Sequence, residues 1–304
     1  MSPPIGWRWP SAGPPPGRWV DLESLGSRGP AVVCEDVTFY YPGFEDIPAL
    51  VGLNLEVREG EFLAVAGLNG SGKSTLCRLI NALILPTRGK VLDWGMDTRL
   101  QVNITMIRRR VGLVMQNPDN QIVGPTVEDD LAFGPENLGL PRRDIEARVE
   151  EVLEAMGLAG LRRREPHLLS MGERKRLAVA GALAMHPRVL VSDESTSMLD
   201  PPTRSETIGL FTRLREERGI TIIHATHRPE EIMAADRVAL LGGGRLLFDG
   251  SPEELFEDRE LIAGQGLRAP ALFMLARELE ARGFPMPRGP LETREVLEHL
   301  WASS

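Results

Sequence analysis

Apolar and polar positions in residues 31–67 predict a series of β-strands. The segments AVVCEDVTFYY (31–41) and LVGLNLEVREGEFLAVAG (50–67) first alternate apolar with polar residues and then run continuously apolar, with Gly60 in a predicted turn. Continuous apolar runs are typical of strands buried on both faces of a sheet. We therefore predict that the last of these strands is buried and ends near residue 67.

Farther along the chain, helical and strand patterns alternate. Residues 117–141 are mixed and interrupted by prolines, and no regular element is predicted there. RDIEARVEEVLEAMGL (143–158) predicts a helix with one apolar face, formed by Ile145, Val149, Val152, Leu153 and Met156. Residues 173–250 then predict helix, strand, helix, strand, helix and β-hairpin. This order indicates an α/β fold with a largely parallel sheet covered on both faces.

The two ends of the chain differ from this pattern. Residues 1–30 are rich in Pro and Gly without periodicity, which predicts a disordered leader, although Trp7, Trp9 and Trp19 could instead be docking anchors. PALFMLARELEARG (270–283) and TREVLEHLW (293–301) predict two short amphipathic helices in a C-terminal extension. The sequence alone does not distinguish whether this extension packs on the core or contacts a partner.

Composition narrows the function classes. The net charge of −8 over 304 residues argues against broad nucleic-acid binding, and the RRR runs at 108–110 and 162–164 are interpreted as solvated helix faces. Apolar runs fall short of the roughly 18–20 residues that span a bilayer. Cys34 and Cys77 fit no metal-ligand spacing, and Cys77 is predicted to be a packed thiol.

The segment GLNGSGKST (67–75) matches the phosphate-binding pattern G-x-x-x-x-G-K-[ST]. Its glycines allow positive φ and close approach of backbone N–H groups to an anion. Lys73 is expected to reach the outer phosphates, and the Ser74 hydroxyl to bind Mg²⁺. The segment follows a predicted strand and precedes a predicted helix, whose N-terminus favours anions.

Two later strands end in groups suited to hydrolysis. RVLVSD (188–193) ends in Asp193, followed by Glu194; the first carboxylate can serve the Mg²⁺ shell and the second can polarise a water. TIIHATH (221–227) ends in His227, which can hydrogen-bond a γ-phosphate.

Two further motifs complete the set. VGLVMQ (111–116) is a predicted strand ending in Gln116, whose amide can reach Mg²⁺ or water. LLSMGERKRLAVAGAL (168–183) places Ser170 and Gly172 just before a helix, where Ser170 is a good N-cap and exposed N–H groups can bind an anion.

In this order the motifs resemble those of the ATP-binding cassette (ABC) ATPases over roughly residues 32–250. The resemblance implies a P-loop NTPase fold: a RecA-like parallel sheet core, an antiparallel β subdomain and a helical subdomain. It divides the chain into a leader (1–30), an ATPase domain (31–255, with the helical subdomain at about 117–183) and a helical C-terminal extension (256–304).

The resemblance also implies roles for individual residues. Glu194, His227, Gln116 and Lys73 are expected to be catalytic, and Ser74, Gln116 and Asp193 to bind Mg²⁺. In family terms, 67–75 is the Walker A loop and 169–173 the signature motif, which would complete a partner's ATP site in a head-to-tail dimer. The residues expected to bind ATP are Tyr41, Gly67, Asn69, Gly70, Ser71, Gly72, Lys73, Ser74, Thr75, Ser170, Gly172 and Asp200. Tyr41 is expected to stack on adenine, with Tyr40 and Phe39 as alternatives.

More narrowly, the chain resembles the ATPase subunits of energy-coupling factor (ECF) importers. This resemblance rests on three segments: residues 114–141, STSMLDP (195–201) and the C-terminal extension. This implies a second ABC ATPase subunit, identical or different, and a transmembrane coupling protein (EcfT-like) carrying a substrate-binding membrane subunit. The cargo would be a vitamin or a transition-metal ion, and the chain would lie at the cytoplasmic face of the cell membrane. No nucleic-acid partner is expected.

Four positions depart from the family pattern. The signature reads LSMGE, so Met171 stands where the family has glycine and Glu173 adds a negative charge. Ser192 stands at a position of the strand that is normally apolar in the family, and Ser195 follows Glu194 where Pro or Ala is more usual. We therefore expect the ATP site that this signature completes to be weakened.

Two other functions stay open at this stage. One is a soluble ABC ATPase acting on nucleic acid or the ribosome, which would require a long coiled-coil insertion or a second cassette; neither occurs here. The other is a weakly hydrolysing regulatory cassette in a heterodimer, which would be marked by loss of Glu194 or His227.

Overall fold

The computed structural model describes residues 29–197, 199–284 and 286. In this part of the chain the strands are β1 (Val32–Phe39), β2 (Leu50–Val57), β3 (Phe62–Ala66), β4 (Arg88–Asp93), β5 (Met96–Asp97), β6 (Val111–Val114), β7 (Val189–Asp193), β8 (Thr221–Thr226), β9 (Arg237–Gly242) and β10 (Arg245–Gly250). The α-helices are α1 (Lys73–Ile80), α2 (Gln101–Arg110), α3 (Val127–Asn137), α4 (Arg142–Ala155), α5 (Met171–Ala184), α6 (Pro201–Arg218), α7 (Pro229–Met233), α8 (Pro252–Glu257), α9 (Arg259–Gly264) and α10 (Ala271–Ala281).

Two sheets organise the described residues. The smaller sheet is antiparallel in the order β2-β1-β4-β5, and the larger has the order β10-β9-β3-β8-β7-β6. Strands β9, β3, β8, β7 and β6 are parallel to one another, and β10 pairs antiparallel with β9 in a hairpin. Because Ala66 pairs with Thr226 and Asp193 with Ala225, the segments that follow β3, β7 and β8 leave the sheet at one edge.

The burial of β3 on both faces explains its continuous apolar sequence. Phe62, Ala64 and Ala66 face one core, shared with the helices α3–α6, whereas Leu63 and Val65 face a second core, shared with α1 and the antiparallel sheet. Both faces are thus covered, as predicted, because consecutive strand residues point to opposite faces. Cys77 is fully buried in the second core, and its thiol is free.

The helical region between β6 and β7 differs from the sequence-based expectation. The predicted face of α4 is confirmed: Val149, Val152, Leu153 and Met156 are buried, and Ile145 packs against them. Helix α3 forms within the proline-interrupted residues 117–141, where the residue pattern predicted no individual element. Thr126 caps α3 by accepting a hydrogen bond from the Asp129 backbone. Strands β4 and β5 and helices α2, α8 and α9 were not predicted either.

Two arginine runs do not form solvated helix faces throughout. Arg110, at the end of α2, is buried with its guanidinium 5.7 Å from the centre of the Trp94 ring. Residues 162–164 lie in a turn rather than a helix, where Arg162 forms ion pairs with Glu128 and Glu150. Both exceptions come from partners that are distant in sequence.

The first predicted C-terminal helix is present as α10. It packs on the domain through Phe273, whose ring lies 6.0 Å from that of Phe256 in α8. The second predicted helix (293–301) and nearly all of the predicted leader lie outside the described residues. Among the helices that the structure describes, none combines the length and apolar character needed to cross a bilayer.

Candidate functional site

The loop between β3 and α1 contains three glycines with positive φ, as expected for a phosphate-binding loop. Gly67, Gly70 and Gly72 adopt φ values of 144°, 81° and 106°. A Cβ on Gly67 would lie 2.3 Å from the carbonyl oxygen of Leu241, and one on Gly72 would lie 2.6 Å from Leu50. Glycine is therefore needed at 67 and 72 for space as well as for conformation.

Lys73 begins α1, and its ammonium group lies inside the loop. Nζ donates hydrogen bonds to the carbonyl oxygens of Gly67 (2.8 Å) and Leu68 (3.0 Å) and lies 3.2 Å from Oε1 of Glu194. The Lys73 side chain is only 4% exposed, so these contacts compensate the charge that burial would otherwise penalise. The ammonium is thus held inside the loop by two carbonyl oxygens and one carboxylate.

Ser74 and Asp193 bring two oxygen ligands together. The Ser74 hydroxyl donates a hydrogen bond of 2.7 Å to Oδ1 of Asp193 at the end of β7. The pKa of Asp193 is raised above its ordinary value because the carboxyl is buried, although the hydrogen bond from Ser74 acts in the opposite direction. A hydroxyl beside a carboxylate is a donor set that Mg²⁺ prefers, and Mg²⁺ commonly binds one or two carboxylates together with phosphate oxygens. These residues fit the predicted ion.

Three polar groups converge on the Glu194 carboxylate. Gln116 donates from Nε2 to Oε2 at 3.1 Å, while Lys73 and Nδ1 of His227 lie 3.2 and 3.6 Å from Oε1. The Glu194 backbone is in the left-handed region (φ 48°), and its N–H donates to the carbonyl of Ala225. A carboxylate held in this way can accept a proton from a water molecule.

Behind Glu194 lies a buried polar network that the sequence interpretation missed. His224, fully buried in β8, contacts Ser192 through Nδ1 (2.9 Å) and Glu231 through Nε2 (2.9 Å). Ser192 in turn contacts the Ser195 hydroxyl at 2.6 Å, and Thr226 donates to Glu231. The available signal was a histidine in an apolar strand together with two serines at unusual positions. The network ties the ends of β7 and β8 together below Glu194.

Glu231 is the charged member of that network. Burial alone would raise its pKa, but the hydrogen bond and charge of His224, with hydrogen bonds from Thr226 and Thr196, lower it to about 2. The carboxylate is thus ionised at neutral pH. Because the His224 side chain is fully buried, the Glu–His–Ser alignment cannot act as an exposed nucleophile, and its contribution is structural.

Ser170 and Glu173 form a capping box at the N-terminus of α5. The Ser170 hydroxyl accepts a hydrogen bond from the Glu173 backbone N–H (3.3 Å), and Oε2 of Glu173 accepts one from the Ser170 N–H (2.7 Å). Open space surrounds Gly172, since a Cβ there would meet no atom within 4 Å. The helix end is accessible, but a carboxylate already binds one of its N–H groups.

Two other predicted ligands lie on separate elements. Tyr41 lies beside α1, with its hydroxyl 3.1 Å from the Thr75 hydroxyl and 3.4 Å from Arg78. Phe39 is buried in the core, which leaves Tyr41 and Tyr40 as the accessible aromatic residues.

Asp200 caps α6 by accepting a hydrogen bond from the Thr203 backbone. The chain thus gathers Lys73, Ser74, Gln116, Asp193, Glu194 and His227 at one sheet edge, with Ser170, Gly172 and Asp200 at two helix N-termini.

Comparison with known proteins identifies the family. A model of the ABC transporter family matches residues 50–197. The energy-coupling factor transporter ATP-binding protein EcfA1 of Symbiobacterium thermophilum is 49% identical over 278 residues, covering 89% of this chain and 96% of that protein. This chain belongs to the ABC transporter ATPases. The predicted family, the P-loop fold and the ATPase activity are confirmed.

Solved structures of other ABC ATPases have the same fold. The structure of cbiO1 from Clostridium perfringens, described as part of the ABC transporter complex cbiONQ, has a TM-score of 0.69 and 35% identity over 82% of this chain and 99% of that one. A dimeric ATP-binding cassette bound to ADP and Pi has a TM-score of 0.67 and 30% identity over 73% and 98%. The roles of individual residues in this ABC ATPase stay predictions, as do its domain boundaries.

Proposed function

We propose that this chain is the ATP-hydrolysing subunit of an ECF-type membrane importer for a vitamin or a transition-metal ion. ATP hydrolysis in this proposal rests on the convergence of Lys73, Gln116 and His227 on the Glu194 carboxylate, directly beside the Ser74–Asp193 pair. The importer function rests on the 49% identity to an EcfA1 protein. That arrangement combines a phosphate-binding lysine, a general base and an ion site at one sheet edge.

The residues divide the work of hydrolysis. With ATP bound, Lys73 exchanges its contact with Glu194 for the outer phosphates, and the carboxylate is free to accept a proton from the attacking water. Ser74, Asp193 and the Gln116 amide would hold Mg²⁺, which neutralises phosphate charge when bound. His227, which is 42% exposed, is placed to hydrogen-bond the γ-phosphate.

The chain's own site is half of a functional unit in this proposal. The N-terminus of α5, with Ser170 and Gly172, would complete the ATP site of a second ABC ATPase subunit, so that ATP closes the pair and hydrolysis opens it. The dimeric ATP-binding cassette bound to ADP and Pi supports such pairing, and the membership of cbiO1 in an ABC transporter complex supports assembly with further transporter subunits. Further partners would be an EcfT-like transmembrane coupling protein and its substrate-binding membrane subunit, at the cytoplasmic face of the membrane.

The capping box bears on whether the pair is homo- or heterodimeric. The Glu173 carboxylate binds the Ser170 N–H, and Met171 places a side chain where the family has none. Both features disfavour a γ-phosphate at this helix end, the first by charge repulsion and the second by volume. A homodimer would carry this defect at both sites and a heterodimer at one.

Affinity purification of the tagged chain from detergent-solubilised native membranes tests the proposal. Glu194→Gln with ATP is used to trap the closed pair, and Glu260→Gln on the exposed surface of α9 serves as the matched control. Recovery of a second cassette and a polytopic membrane protein is the expected result. Recovery of only soluble partners or nucleic acid would contradict the importer function and favour a soluble ABC ATPase.

A further inference from the structure

Lys175, on the second turn of α5, is a buried cation that lies after the signature motif (169–173) and was given no role above. Only 2% of the Lys175 surface is exposed to solvent. Nζ donates a hydrogen bond of 2.5 Å to the backbone carbonyl of Gln116 and lies 3.5 Å from the Ser197 hydroxyl. A buried ammonium is stable only where such partners and nearby negative charge compensate its lost hydration.

The surroundings of Lys175 join three parts of the catalytic apparatus. Gln116 follows β6, Ser197 follows Glu194, and Lys175 itself lies five residues after Ser170, at the start of the helix that would face the partner's ATP. Asp193 and Glu194 both attract its charge. One side chain therefore connects α5 to the loop that carries Gln116 and to the segment that follows Glu194.

The two ends of Gln116 are held by different partners. Its backbone carbonyl accepts from Lys175, and its side-chain amide donates to Oε2 of Glu194. Because the carbonyl is fixed by α5, a shift of α5 moves the amide relative to the Glu194 carboxylate.

We propose that Lys175 is a positioning residue that sets the location of Gln116 and so couples the N-terminus of α5 to Glu194 in the same chain. The inference rests on the proposed function, in which α5 contacts a partner's nucleotide. Movement of α5 on closure is then transmitted through one hydrogen bond to the group beside the general base. The lysine does not touch the phosphate loop, so nucleotide binding is left to Lys73 and the loop backbone.

The test compares Lys175→Met, Lys175→Gln and the control Lys90→Met in the complex recovered from membranes. Methionine keeps length but donates no hydrogen bond, whereas glutamine restores a neutral donor. Lys90 lies on β4, where it pairs with Glu35 at the surface. We expect Lys175→Met to lower kcat roughly 10- to 100-fold with KM for ATP within about twofold of wild type, because misplacing a catalytic group by about 1 Å costs rate rather than affinity.

A double-mutant cycle separates positioning from structural support. Lys175→Gln is expected to recover most of the lost rate, and Lys175→Met is expected to have little further effect in a Gln116→Ala background. An unchanged kcat in Lys175→Met, additive losses in the cycle, or equal losses of kcat in both Lys175 variants accompanied by lowered Tm would overturn the inference. A wild-type complex without ATPase activity would instead contradict the proposed function and, with it, the inference.

Discussion

Glu194 occupies a backbone conformation that L-residues rarely adopt, and its neighbours explain how it is held there. Its φ of 48° costs on the order of 1–3 kcal/mol, which the surrounding structure must offset. The Ser192–Ser195 contact spans the residue, and His224 anchors Ser192 to Glu231. The buried network therefore stabilises the position of the proposed base.

Replacing Glu231 tests this support. Its folded-state pKa lies near 2, below its ordinary value of 4.5, so its stabilisation is present above pH 4.5 and is lost as the pH falls toward 2. We expect Glu231→Gln to lower the free energy of unfolding by about 3–5 kcal/mol at pH 7, with a smaller difference from wild type at pH 3. Denaturant titrations at the two pH values measure this. The exposed Glu260→Gln is the control, and a pH-independent difference would contradict the ionised network.

The phosphate loop gives a second test at this scale. Gly67→Ala places a Cβ 2.3 Å from the Leu241 carbonyl oxygen at a φ of 144°. We expect nucleotide affinity to fall at least roughly tenfold, because the loop must shift away from its phosphate-binding conformation. Gly160→Ala, in open surroundings, is the control for loss of glycine. Equal ATP affinities of Gly67→Ala and wild type, measured by calorimetry, would show that this conformation is not needed.

Whether a site residue could be predicted depended on how far apart in the sequence the interacting groups lie. The residues of the 67–75 loop could be predicted because their spacing is itself the phosphate-binding device. Lys175 and His224 could not, because their partners Gln116 and Ser192 are distant in sequence and only the fold brings them near. A buried polar group carries no local pattern that reveals its partner.

At the scale of elements, α3 shows why a helix can be missed. Val127, Leu131 and Pro135 are spaced four residues apart and buried, which is a helical pattern, but Gly134 and Pro135 read as a turn. The Thr126 cap and packing against α4 and α5 overcome these residues. Strongly periodic α4 was predicted because no such conflict occurs in it.

Helix α5 supports a prediction about its own N-terminus. Met171→Gly removes the side chain that we expect to crowd the partner's nucleotide, so ATPase activity should rise, by roughly tenfold if about 1.4 kcal/mol of the barrier is removed. Met274→Gly on α10 controls for the helix destabilisation that glycine brings. An absence of gain in Met171→Gly, with its Tm equal to that of wild type, would refute the crowding.

At the scale of the whole molecule, the site is divided between surfaces. One sheet edge carries the phosphate loop and Glu194, while Ser170 and Gly172 lie on a helix end that completes no phosphate site within its own chain in our proposal. Together with its partner cassette, which is a second copy of the chain in a homodimer, Glu194→Gln should therefore associate into a pair with ATP and separate without it. Light scattering with and without ATP measures the mass, and an ATP-independent mass would contradict closure driven by nucleotide.

The central claim is that the Glu194 carboxylate activates water for ATP hydrolysis at this sheet edge. Steady-state ATPase rates of wild type and Glu194→Gln, with ATP affinity measured on the same samples, test it most directly. We predict that the rate falls by at least about 100-fold while affinity is retained, because general-base catalysis contributes about 10²–10⁴-fold and the phosphate loop is intact. A Glu194→Gln enzyme that hydrolyses ATP at the wild-type rate would contradict the account.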